Sequence, residues 1–190
     1  MITSREVALS ISGAFQFARF DRAAVQYFEN TSDAFWKSFY AAAMALPAYA
    51  LLVLLNCAEK PVAASGLRIL VVETSSFVIA WVIFPLIMIA LTDTLNRFDR
   101  YYRFMTAWNW AIVLQVFLFL AVSALVASGT VPGQLAGFVS LIAVIAILVY
   151  QGFIAVAALE IRTPVAFMIV AIDLLIALSL NVITQSFYAA

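Results

Sequence analysis

Asp173 makes the strongest chemical demand in this sequence, because it stands about nine residues into an apolar run that begins near Pro164, roughly 13 Å along a helix. If that run crosses a bilayer, the carboxyl group lies near the midplane, where carrying a charge is costly. Desolvation favours the neutral acid unless a partner or water stabilises the anion. Three roles fit: an acid that ties helices together, which is the default expectation, a proton or cation carrier, and part of an interface with another chain.

Other polar residues within apolar runs extend the candidate network. Asp173, Ala177, Asn181 and Thr184 recur at helical spacing, so this stripe is expected to face protein rather than lipid. Gln115 lies about eleven residues into a different run, at matching depth, and is expected to come within direct or water-bridged hydrogen-bonding reach of Asp173. Asn109 and Gln151 complete the set, both nearer the cytoplasmic side by the same count. Glu73, close to the outer end of its run, is expected to pair with Arg68 or meet water.

The residue inventory narrows the chemistry. Histidine is absent and Cys57 is the only cysteine, which leaves no disulfide within the chain and no evident zinc, haem or iron–sulfur ligand set. No glycine-rich phosphate cradle, no cluster of acids for a metal and no nucleophile beside a base is visible. A noncatalytic protein without cofactor is expected.

The elements that must position these residues are membrane helices. Hydrophobic residues make up 66% of the 190, charged ones only 11%, and mean hydropathy is +1.09, far more apolar than water-soluble domains of this size. Runs of roughly 20 apolar residues suit a bilayer core. Five are expected, over about 36–57, 67–92, 104–128, 131–159 and 164–187, giving an all-α polytopic bundle in residues 36–190. Pro47 and Pro85 fall inside the first two and are expected to kink them. Gly129 to Gly133 reads as a tight turn, and Thr163–Pro164 as a helix start, so the last three spans should be antiparallel neighbours. Residues 1–35 form a lead-in segment, in which Phe17, Phe20, Ala24, Tyr27 and Phe28 predict an amphipathic helix over Gly13–Phe28, lying at the interface or packed beneath the spans. The run Asn30–Asp33 should end it and cap the next helix. No cleavable signal peptide and no internal repeat are expected.

Charge gives an orientation. Eight of the ten Lys and Arg residues fall in the lead-in and in the links after the second and fourth spans, whereas Lys60 and Arg68 alone lie on the other side. Cytoplasmic loops retain positive charge, so the amino terminus is expected inside and the carboxyl terminus outside.

Two motifs speak to partners. Asn96–Trp110 interleaves Arg97, Arg100 and Arg103 with Tyr101, Tyr102 and Phe104, and Trp108 and Trp110 flank Asn109. Beside a span this pattern predicts anchoring on anionic lipid headgroups, or a cytoplasmic protein partner, rather than nucleic acid. Gly133 and Gly137 form a GxxxG pair, with Ala136 and Ser140 alongside, expected to serve packing within the bundle ahead of a homo-oligomer contact.

The layout of lead-in, five spans, a proline in each of the first two and almost no outer tail resembles the Yip-type family of Ypt/Rab-interacting membrane proteins, in the form of a bacterial member, over roughly Gly13 to Phe187. The resemblance implies membrane organisation and no catalytic residues. A scaffold or assembly factor in a bacterial cytoplasmic (inner) membrane is the leading expectation. The alternative is a small transporter or channel component in which Asp173 handles a proton or cation.

Overall fold

In hydrocarbon every backbone N–H and C=O must find its partner within the protein, and long apolar runs achieve this as α-helices. A computed structural model describes residues 2–59 and 64–189, and over these the chain is all-α. Lys60, which enters the charge asymmetry, lies outside the described residues. The helices are α1 (Ser4–Ala18), α2 (Ser32–Ser38), α3 (Tyr40–Glu59), α4 (Gly66–Thr94), α5 (Tyr101–Ala127), α6 (Gly133–Leu159) and α7 (Thr163–Ala189). Short 3₁₀ turns cover Arg22–Tyr27 and Phe98–Arg100.

Five stretches are long and apolar enough to cross a membrane: Ser32–Ala58, Gly66–Thr94, Phe98–Ala127, Gly133–Leu159 and Thr163–Tyr188. They coincide with the expected spans to within a few residues, and the chain is an integral membrane protein. The first begins early because Thr31 caps α2, its hydroxyl accepting the Ala34 N–H at 3.2 Å. Pro47 and Pro85 lie inside α3 and α4, as expected.

α5 is the central helix. It packs against α2 and α3 on one flank and α6 on another, with α1 laid across it, while α7 joins α6 to α4. We call the end that carries α1 and α2 proximal and the opposite end distal. The core sits at the proximal end: buried positions of α5 run from Tyr101 to Gln115 and then cease, those of α6 run from Ala143 to Leu159, and those of α4 from Trp81 to Thr92. Distally, Leu118, Leu125, Leu135, Phe138 and Leu141 point outward.

The lead-in corrects the sequence expectation. No single helix covers Gly13–Phe28; α1 ends at Ala18, Phe20 takes a left-handed conformation (φ 59°), and the chain doubles back into the 3₁₀ turn. Local capping explains both starts. Thr3 and Glu6 form a reciprocal capping box at the head of α1, and Asp21 Oδ1 accepts the Ala23 N–H at 2.9 Å to begin the return leg. Gly13 allows the two legs to close up, since a Cβ there would stand 2.7 Å from Tyr27 Cβ and 2.8 Å from the Phe28 ring. Phe17 stacks on Phe28 at 5.6 Å, and both, with Ala14 and Ala24, belong to the same core as α5 and α6. Of the two placements expected for the lead-in, α1 and the 3₁₀ turn take the packed one, against α5 and α6.

Candidate functional site

Three spans place one polar side chain each at similar depth, roughly 12 to 21 Å from their proximal ends. Gln151 of α6 is the hub: its Nε2 donates to Asp173 Oδ2 on α7 at 3.1 Å and to Gln115 Oε1 on α5 at 3.4 Å. Asp173 and Gln115 are thus joined through a side chain. The sequence reading placed Gln151 nearer the surface, yet counting back from Leu159 brings it to the level of Asp173. A glutamine amide carries two N–H donors, which is what bridging two acceptors requires. Gln115 Nε2 is buried without a partner.

The remainder of the α7 stripe is corrected. Thr184 is buried and its hydroxyl meets that of Ser76 at 2.6 Å, but Ala177 and Asn181 are exposed, and Asn181 accepts only from Gln185 Nε2 at 2.9 Å, one turn along its own helix. Contact with α6 and α4 covers a narrower face than four recurring positions implied.

Asn109 belongs to the proximal core. Its Nδ2 donates to Ser38 Oγ at 2.8 Å, and Ser38 in turn donates to the Phe35 carbonyl. Trp108 and Trp110 are 2% and 1% exposed, so they are core residues and not interfacial anchors; Trp108 stacks on Phe84 at 4.7 Å. Tyr101 is buried as well and donates to the Pro85 carbonyl at 3.1 Å. The reason is that α1 and α2 cover the start of α5, which sequence composition does not reveal. Trp36 and Phe98, 68% and 44% exposed, hold the outward positions instead.

The arginines are also reassigned. Arg100 pairs with Glu160, and Arg103 reaches Glu160 Oε1 at 3.4 Å and the Ala158 carbonyl at 3.1 Å. Together they satisfy carbonyls and charge at the C-terminus of α6, where the helix dipole is negative. Asn30 adds a cap in trans to α5, accepting from Arg103 N at 3.0 Å and donating to the Asp99 carbonyl. Arg97 alone of the three has no acidic partner among the described residues, and Tyr102 is half-buried. At the head of α1, Lys37 Nζ binds Glu6 Oε1 at 2.8 Å and Asp33 Oδ2 at 2.8 Å. That ammonium, with the Thr3 N–H and hydroxyl, holds the Glu6 carboxyl down from 4.5 to about 2.

Gly133 and Gly137 do not serve packing within the bundle: both are exposed, and a Cβ on either would meet nothing within 4 Å. Glu73 does not pair with Arg68. Its Oε2 accepts the Tyr49 hydroxyl at 2.5 Å and its Oε1 the Tyr188 hydroxyl. It borders a cleft of about 380 Å³ between α3 and α4, alongside Leu54, Cys57 and Ile69. A second cavity of about 510 Å³ lies between the end of α1 and the α5–α6 pair, with Gln115 on its wall. Asp173 lines neither. Among the described residues no three Asp, Glu or Cys side chains gather into a metal-binding set. Ser38, Tyr150 and Glu160 were not foreseen, although a polar residue at a helix end was an available signal for Glu160; Asn30, expected to help cap the helix that follows it, caps α5 instead.

Fold and site together define a polytopic integral membrane protein whose intramembrane polar side chains pair largely with one another across helices. No family model, curated protein or solved structure matches the chain.

Proposed function

We propose that this chain is a noncatalytic membrane scaffold or assembly factor, working through lipid and protein contacts. One observation carries the reading: the polar groups within the spans are engaged in interhelical joints, Gln151 with Asp173 and Gln115, Asn109 with Ser38, Ser76 with Thr184, and Glu73 with two tyrosines. A conduction path needs such groups along a hydrated route, and Asp173 borders neither described cavity. The prearranged proximal end, with Trp36 and Phe98 turned outward, supplies a platform for partners. The Yip-like layout is consistent with such a role in membrane organisation, the charge asymmetry supports a cytoplasmic proximal face, and the compact loops support a bacterial inner membrane.

Affinity purification from native membranes followed by mass spectrometry tests this. A stoichiometric co-purifying protein is the expected result. Proton or cation flux in proteoliposomes that disappears in Asp173→Asn would replace the scaffold with the transporter reading.

A further inference from the structure

The cavity beneath α1 has the depth, lining and charge of a lipid site. It follows α6 from Ala146 to Tyr150, roughly 13 to 20 Å from the proximal end of that helix, which places it in the hydrocarbon of the proximal leaflet. Phe15, Phe20, Leu118 and Ile147 give it apolar walls. Of its two polar neighbours, Tyr150 already donates its hydroxyl to the Ala14 carbonyl at 2.9 Å, and the Gln115 amide nitrogen is buried away from any probe the size of water. A volume of about 510 Å³ so lined accepts an alkyl chain and offers water little.

Positive charge adjoins the lining in the chain: Arg19 stands between the lining residues Ala18 and Phe20, and Arg22 follows two residues later. Phe20 packs edge-on against Phe153 at 5.3 Å, and Phe153 sits roughly 9 Å below the end of α6. Arg19 and Arg22 flank this turn; both are exposed and neither has an acidic partner among the described residues. Asp21 between them accepts the Ala23 N–H. Long arginine stems at such depth extend toward the headgroup layer, where phosphate is the natural counter-ion.

We infer that this pocket holds one acyl chain of an anionic phospholipid from the proximal leaflet, with the lipid phosphate between Arg19 and Arg22. The cavity accounts for the chain and the arginine pair for the headgroup preference. Such binding needs no protein partner, so it stands or falls separately from the scaffold reading.

Native mass spectrometry of the full chain in zwitterionic detergent, with equimolar phosphatidylglycerol and phosphatidylcholine of identical chains, provides the test. The wild type is expected to retain one phosphatidylglycerol with at least about tenfold preference. Arg19→Gln/Arg22→Gln should bring the two lipids to parity, and Arg19→Lys/Arg22→Lys should keep the preference. Ala146→Phe, at an exposed cavity-lining position that overpacks no core, should reduce retention of both lipids. Equal retention by the wild type, an undiminished preference in the glutamine variant, or unchanged retention in Ala146→Phe would each overturn the inference.

Discussion

The proximal and distal halves of the same five helices are built on different terms. Proximally, α5 buries Phe104, Met105, Trp108, Asn109 and Trp110 within two turns, and α1, α2 and the 3₁₀ turn close over them. Distally the same helix buries nothing beyond Gln115, and α3 and α4 diverge around a cleft. Lipid tails are as apolar as leucine, so hydrophobicity alone does not draw spans together; shape and hydrogen bonds must do it. The proximal half has interlocking aromatics, alanines at Ala41, Ala45 and Ala48, and polar joints. The distal half has mostly Leu, Val, Ile and Phe, which lipid solvates equally well, and its helices meet chiefly through two polar joints, Glu73 with Tyr49 and Tyr188, and Ser76 with Thr184.

That contrast is open to direct attack. Trp108→Ala should open a cavity in the proximal core and destabilise the chain by about 3 kcal/mol in detergent thermal unfolding, whereas a loss comparable with a surface change would show the core to be loosely packed. Gln151→Leu removes the donor shared by Asp173 and Gln115 and should cost about 1 to 3 kcal/mol in the same assay. Gly13→Ala drives a methyl into Tyr27 and Phe28 and should cost about 1 to 2 kcal/mol, with faster proteolysis around Arg19. Leu125→Ala, at a distal position 46% exposed, should stay within about 0.5 kcal/mol; a larger loss would mean that the distal half has a packing partner.

The smallest effect is electrostatic. Because the Glu6 carboxyl is held below its ordinary value, its contact with Lys37 contributes fully above pH 4.5 and is lost as pH falls toward about 2. Distances between spin labels on α1 and α2 should therefore lengthen over that window, and Lys37→Met should abolish the pH dependence.

The spans were legible because run length is a one-dimensional property that the bilayer imposes directly. Burial within the bundle was not, since it depends on which helix becomes central. Trp108 and Trp110 beside Asn109 look the same in sequence whether they meet headgroups or another helix, and only the cover from α1 and α2 decides. Counting depth set Asp173 and Gln115 at one level, but the expected contact between them runs through Gln151, which the same count had set nearer the cytoplasmic side. The reversal at Phe20 escaped notice because no glycine or proline marks it, although Asp21 two residues before Ala23 is a start signal. Asn181 was misplaced because helical periodicity gives a phase, not the width of the covered face.

The anchoring of α1 has a consequence for biogenesis. Ala14 is fastened by Tyr150, and Asn30 by Asp99 and Arg103, residues that leave the ribosome long after their partners. At roughly 5 to 20 residues per second, several seconds separate their synthesis. Throughout that interval the nascent amino-terminal hairpin has no completed dock, so its apolar face must be sheltered by the bilayer surface or by a chaperone until the fourth span has been inserted.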